Sequence, residues 1–297
     1  MRHAYLIMAY NNFDQLGTLL RLFDDDRNDL YLHIDAKTPR AAVPDLSRYV
    51  HRSTLTVVEP IPVAWGGYSQ VRCEMRLIHA ALESGEPYGY LHLLSGADLP
   101  IKTNDEICRF LQQHDGKEFI AFVYRSVNDG HMDAIKERIA IHHPWQERTG
   151  REDDFPTRVL SKAQKLLHVD RLKGSGLKEI GKGSQWFSIT AEFGRYLIEQ
   201  EPLVERTFRS SYCSDELFIQ TMALNSPFAE NVYDPNGDGH GDNLRFIDWD
   251  RGAPYVFRAQ DFDELMSTPA DRLFARKFDE QVDAEIIQRI SSALLAR

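Results

Sequence analysis

An α/β fold, a mostly parallel central sheet flanked by helices, is what this 297-residue sequence predicts, and three observations carry the prediction. Short apolar runs alternate with longer stretches whose apolar residues recur at helical spacing. The first two runs are joined through one such helical stretch, the connection that two parallel neighbours need. The run ending at Leu94 stops at Ser95-Gly96-Ala97-Asp98, the kind of strand end at which α/β sheets place ligands.

The first strand is expected over residues 4–9, followed by a helix marked by Phe13, Leu16, Leu19, Leu20 and Phe23, and by a second strand in DLYLHID, 29–35. TLTVV (54–58) predicts a third strand. Val71, Met75, Ile78 and Leu82 mark the buried face of another helix before the apolar run of Tyr90, Leu91, Leu93 and Leu94, beyond which Leu99-Pro100 turns the chain away. EFIAFV (118–123) continues the alternation. After Val123 the pattern loosens into a polar, histidine-containing stretch and a basic segment, then resumes with the strand SQWFSI, 184–189. Thr190 is placed to cap a helix running to Gln200, and Ser214 another running to Leu224. LRFIDW (244–249) reads as a late strand, and Ile286, Ile287, Ile290 and Leu294 as the apolar face of a closing helix. No internal repeat or low-complexity linker interrupts the pattern, so residues 1–297 are expected to form one domain with two lobes, 1–125 and 126–297.

Composition excludes several functions. A net charge of −10 argues against a dedicated nucleic-acid binder, which tracks phosphates with a basic face, so any anion site has to be local. Cys73, Cys108 and Cys213 are odd in number and widely spaced, which gives neither a disulfide framework nor a zinc knuckle and points to a reducing compartment. The apolar run in MRHAYLIMAYNN is too short for a signal peptide, and no segment approaches the ~18 apolar residues of a membrane span. The expected location is the cytoplasm, with peripheral association at the inner face of the membrane left open.

DPNGDGHGDN (234–243) imitates the start of an EF-hand loop, but position twelve is Arg245 where calcium needs a bidentate Glu, so a surface turn is the better reading. GSGLKEIG (174–181) lacks the dinucleotide spacing, and the adjacent His142 and His143 cannot chelate together as an i, i+4 pair can. WGGYS (65–69) is evenly balanced. Trp65 offers a flat face and Gly66 lets a ligand approach the backbone, while the alternative is a tight turn around a buried Trp. Asp35, closing HID, either contacts a nucleoside or caps the residues after it. Asp215 and Glu216, in SDE, sit at a helix start, where the dipole favours acids whatever they do, yet a carboxyl beside another acid also suits a general base. Arg276 and Lys277, between Phe274 and Phe278 in LFARKFD (273–279), either face solvent or clamp a diphosphate.

Taken in order over nearly the whole chain, HID (33–35), WGGYSQV (65–71), LLSGADLPIKT (93–103), KGSQWFSIT (182–190), SDELFIQT (214–221), LRFIDW and LFARKFD resemble the core-2/I-branching β-1,6-N-acetylglucosaminyltransferase family, especially its compact bacterial members. Protein xylosyltransferases share part of the pattern. The resemblance implies a GT-A-type nucleotide-sugar transferase fold. It also implies inverting transfer of a sugar, N-acetylglucosamine with xylose as the alternative, from a UDP-sugar donor to a glycan or lipid-linked glycan in bacterial surface polysaccharide synthesis. Neither a metal nor another cofactor is implied. GT-A enzymes usually carry two acids one residue apart at the strand end to hold a divalent ion, whereas here position 96 is Gly and Asp98 stands alone. By the same resemblance Glu216 is the catalytic base, and Lys277, with Arg276 and Arg245 behind it, stabilises the UDP leaving group. Asp35 contacts the nucleoside, and Trp65, Gly66, Ser95 and Asp98 shape the donor pocket. A non-catalytic nucleotide-sugar-binding protein is the rival reading, and it would not need Glu216. A metal-dependent hydrolase would need ligands that the sequence does not provide.

Overall fold

Apolar runs become strands close to where the sequence predicts them. The computed structural model describes residues 1–125, 132–149 and 155–296. In chain order the elements are β1 (Arg2–Ala9), α1 (Phe13–Leu22), β2 (Asn28–Ile34), β3 (Thr54–Val57), α2 (Tyr68–Glu83), β4 (Tyr88–Ser95), β5 (Asp98–Pro100), α3 (Asn104–Gln113), β6 (Phe119–Arg125) and α4 (Met132–Ala140). There follow α5 (Gln146–Thr149), α6 (Phe155–Leu166), β7 (Gly181–Thr190), α7 (Ala191–Glu199), α8 (Glu201–Phe208), α9 (Phe218–Leu224), β8 (Arg245–Ile247), α10 (Phe262–Met266), β9 (Phe274–Arg276) and α11 (Ala284–Leu295). By internal packing the chain divides into two units: residues 1–60, 80–116 and 244–297 make the first, and 61–79 with 117–243 the second.

In the first unit β1 to β4 run parallel in the order β3-β2-β1-β4. Tyr5, Leu6 and Ile7 of the central β1 are buried one after another, the continuous apolar run of a strand covered on both faces. The register sets Met8 between His33 and Ser95, so the chain leaves β2 and β4 at the same carboxyl edge. α11 packs against α1 and buries Ile286, Ile287, Ile290 and Leu294, the face their spacing predicts, and Asp283 caps it by accepting the Ile286 N–H at 3.1 Å.

A second, small sheet in this unit has the order β5-β9-β8. β5 is antiparallel to β9, with Asp98 opposite Arg276, and β8 is parallel to β9, with Arg245 opposite Phe274. Leu99-Pro100, expected to turn the chain away, instead lies in an edge strand, where proline's missing N–H breaks no ladder bond.

In the second unit β6 runs antiparallel to β7, so the parallel alternation does not continue through EFIAFV. β7 starts at Gly181 rather than at residue 184, and Gly183 is required there because a Cβ would lie 1.9 Å from the Ala121 carbonyl oxygen. Thr190 caps α7 as predicted, accepting the Phe193 N–H at 3.1 Å. Ser214 does not cap a helix: residues 214–216 form a single 3-10 turn after Cys213, whose φ is 47°, and α9 begins at Phe218. The segment 234–243 is a largely exposed loop closed by Asp234, which accepts the Gly239 N–H at 2.7 Å. Among the described residues the three cysteines are buried and form no disulfide, and no helix is long and apolar enough to cross a membrane.

Candidate functional site

The register that sets Asp98 opposite Arg276 makes them partners. Arg276 Nη1 donates to Asp98 Oδ1 at 3.1 Å and also to Ser95 Oγ, while the Ser95 N–H donates to the other Asp98 oxygen. The acid that opens β5, just past the turn after β4, is therefore held by a guanidinium and by its own turn. Arg245, on β8, is 6% exposed; its Nη2 donates to the Leu93 carbonyl at 3.1 Å and its guanidinium lies 4.9 Å from the centre of the Phe274 ring. Lys277 directly follows β9, its N–H donating to the Tyr255 carbonyl at 3.3 Å and its own carbonyl accepting from Phe257 at 3.0 Å. Arg245 and Arg276 thus stand on two adjacent short strands, and Lys277 directly follows the second.

Asp35 follows β2 at the same carboxyl edge. Its Oδ1 accepts the Lys37 N–H at 2.8 Å and its Oδ2 is 3.5 Å from the Lys37 ammonium, so the carboxylate caps the turn after the strand.

In the second unit, Glu216 Oε2 accepts from Arg138 Nη1 at 3.0 Å and lies 3.6 Å from Lys182 Nζ. α4 supplies the first cation and β7 the second, and each lies against a tyrosine ring, Tyr212 at 5.1 Å and Tyr124 at 5.8 Å. The neighbouring Asp215 is buried and has a different partner, the Gln70 amide, which donates to its Oδ2 at 3.3 Å. The amide chain continues: Gln70 donates to Gln185 Oε1 at 3.3 Å, and Gln185 donates to Glu74 at 2.8 Å. Burial pushes the Glu74 carboxyl well above the usual range, against the hydrogen bond from Gln185 and with a smaller push from Asp215.

Gln70 also reaches the glycine turn, accepting the Gly66 N–H with its Oε1. Gly66 has φ 75°, the left-handed region in which glycine is unstrained. Trp65 is 62% exposed, which corrects the alternative of a turn wrapped around a buried Trp: the turn is present and the indole is on the surface. Among the described residues no group of three or more His, Cys, Asp or Glu is placed to hold a metal ion.

Sequence reasoning missed Arg138, Lys182, Gln70 and Gln185 as partners of the SDE acids, and it read Gln15 only as part of an amphipathic helix. Gln15 is buried at 1% exposure; its Nε2 donates to the Gly96 carbonyl at 2.8 Å and to that of Phe278 at 3.2 Å, and its Oε1 accepts the Glu280 N–H at 3.0 Å. A polar residue amid the apolar positions of a helix is the one signal that pointed to it.

The family model described as Core-2/I-Branching enzyme matches residues 3–266. Xylosyltransferase 2 of Canis lupus familiaris is 25% identical over 309 residues, covering 97% of this chain and 33% of that protein. Xylosyltransferase 1 of Rattus norvegicus is 24% identical over 327 residues, covering 99% and 35%. The chain spans about a third of the length of these curated relatives. Among solved structures, the apo form of mouse xyloside xylosyltransferase 1 aligns over 93% of this chain and 97% of that one, with a TM-score of 0.36 and 10% identity.

Proposed function

From the premise that this chain belongs to the Core-2/I-Branching enzyme family, we propose that it is an inverting glycosyltransferase that moves a sugar from a UDP-sugar to a saccharide hydroxyl without a metal. N-acetylglucosamine is the donor sugar to which the motifs point, and xylose is the alternative because the relatives are named xylosyltransferases. The acceptor is a glycan or lipid-linked glycan, and the reaction belongs to assembly of a bacterial surface polysaccharide, in the cytoplasm or at the inner face of the membrane.

The observation that carries this reading is the pairing of Asp98 with Arg276. Where a metal-dependent transferase needs carboxylates for a divalent ion, this strand end offers a fixed guanidinium, and a fixed cation does for a leaving diphosphate what a metal would. Arg276, Lys277 and Arg245 offset the charge that builds on UDP as the bond from the anomeric carbon to the diphosphate breaks. Glu216 takes the proton of the attacking hydroxyl, and UDP leaves from the opposite face of the sugar. Arg138 and Lys182 hold the Glu216 carboxylate in one orientation.

A thermal-shift screen of UDP-sugars, followed by product analysis in excess EDTA, tests the proposal. Stabilisation by UDP-N-acetylglucosamine or UDP-xylose is expected, with turnover that persists in EDTA. Turnover lost in EDTA and restored by manganese or magnesium removes the metal-free mechanism. Stabilisation with no turnover against any acceptor returns the protein to nucleotide-sugar binding.

A further inference from the structure

Charge in one part of the second unit runs against the sign of the molecule. The chain carries −10 overall, yet a cavity of about 600 Å³ is lined by Arg138, Arg158, Lys162, Lys165 and Lys182, with Glu137 the one carboxylate among its described lining residues. Arg138 and Lys182 are also the two cations on Glu216, so the cavity and that carboxylate share a wall. Lys165 is 2.7 Å from Glu137, and with Arg158 left out of the count, Glu137 and Glu216 set against Arg138, Lys162, Lys165 and Lys182 still leave a positive surplus among the described residues.

α6 supplies Arg158, Lys162 and Lys165 at spacings of four and three, which sets them on one helix face. Like charges so spaced repel one another and weaken the helix. A bound anion relieves that repulsion by pairing with the cations.

Resting on the transferase reading above, we propose that the acceptor is an acidic saccharide whose carboxylate or phosphate lies among these cations while its hydroxyl meets Glu216. The cavity has the size of a small-molecule site, and Tyr124 and Tyr212 are among its lining residues.

The test offers the full chain a panel of methyl hexosides and disaccharides in three matched forms: neutral, 6-phosphorylated and 6-uronate. Binding is read by ligand-observed NMR and transfer by UDP release. An acidic form is expected to bind and to be used about tenfold better than its neutral partner, the scale of one charge-assisted contact, with a preference that shrinks as salt is raised. Whether the phosphate or the uronate leads identifies the anion. Lys162→Glu, at an exposed helix position, is expected to raise the KM of the acidic acceptor about tenfold with little change in melting temperature, and Lys162→Arg to keep it near wild type. Acidic forms that bind but are never glycosylated keep the cavity assignment and remove the transferase reading. The acidic saccharide is overturned by equal or better use of neutral sugars, by an Asp/Glu-rich serine peptide that outperforms every saccharide, by no binding of any form, or by a Lys162→Glu enzyme with wild-type acceptor KM.

Discussion

Glu216 and Asp215 are consecutive carboxylates with different surroundings, and the difference bears on the role proposed for each. One oxygen of Glu216 is shared by Arg138 and Lys182, and all three side chains are about one-fifth exposed, so the group is oriented but open to a partner from outside the protein. Asp215 is 3% exposed and is held by the Gln70 amide. A general base has to lie within reach of the acceptor hydroxyl, and the partly exposed Glu216 is more accessible to one than the buried Asp215. Glu216→Gln keeps the shape and removes the basicity, so single-turnover transfer is expected to fall about a hundredfold or more while UDP affinity and melting temperature stay close to wild type. Asp215→Asn is expected to lose less transfer and more thermal stability. The two variants are compared on the same preparations by single-turnover transfer, UDP titration and melting. Near-normal transfer by Glu216→Gln would take this residue out of the mechanism.

At the scale of elements, α1 does more than cover the sheet. Through Gln15 it joins the turn after β4, at Gly96, to the segment after β9, at Phe278 and Glu280, and a backbone bond from the Phe278 N–H to the Ala97 carbonyl at 2.9 Å closes the same junction. The cations Arg276 and Lys277 lie immediately before that junction. Gln15→Ala would leave two carbonyls and one N–H without their side-chain partner, at a cost of about 2 kcal/mol, the scale for a buried polar group left unsatisfied. Urea unfolding is expected to show that loss, and the folded variant is expected to bind UDP more weakly; unchanged UDP affinity would confine Gln15 to a structural role. This junction also marks where the sequence stopped being readable. β1, β2 and β4 are buried on both faces and announce themselves as continuous apolar runs. β5 and β9 span three residues each, too few for a period, and Pro100 argued against a strand. The acids of SDE and the cations of LFARKFD were legible as candidates because they are clustered. Arg138 is 78 residues from Glu216, and their meeting is set by topology, which no local pattern records.

At the scale of the whole molecule, each unit holds ionisable groups whose burial disfavours their charged form, and the groups are of opposite kinds. In the first unit His3 and His92 are fully buried with ring nitrogens 3.3 Å apart; burial pulls His3 down to about 3 and His92 well below its ordinary value. In the second, burial pushes Glu118 up to about 7, only partly offset by the Thr190 N–H at 2.9 Å and hydroxyl at 2.6 Å that it accepts. The signs follow from linkage. An unfolded imidazole takes its proton near 6.5 and the buried His3 only near 3, so the stability that depends on its burial is complete above about pH 6.5 and is lost as pH falls. The unfolded Glu118 carboxyl releases its proton near 4.5 and the folded one near 7, so its contribution is complete below about pH 4.5 and is lost as pH rises to about 7. Glu118→Gln isolates the second slope, because an amide can still accept the Thr190 N–H and donate to the hydroxyl but has no proton to release. The melting temperature of the variant minus that of wild type is expected to climb between pH 4.5 and 7 and to level off above. Hydrogen exchange, corrected for its intrinsic pH dependence, is expected to localise the change to β6, β7 and the Thr190-capped start of α7. A difference that stays flat through that window, or that grows toward acid, would mean that Glu118 is ionised in the folded protein and that its bonds to Thr190 outweigh its burial.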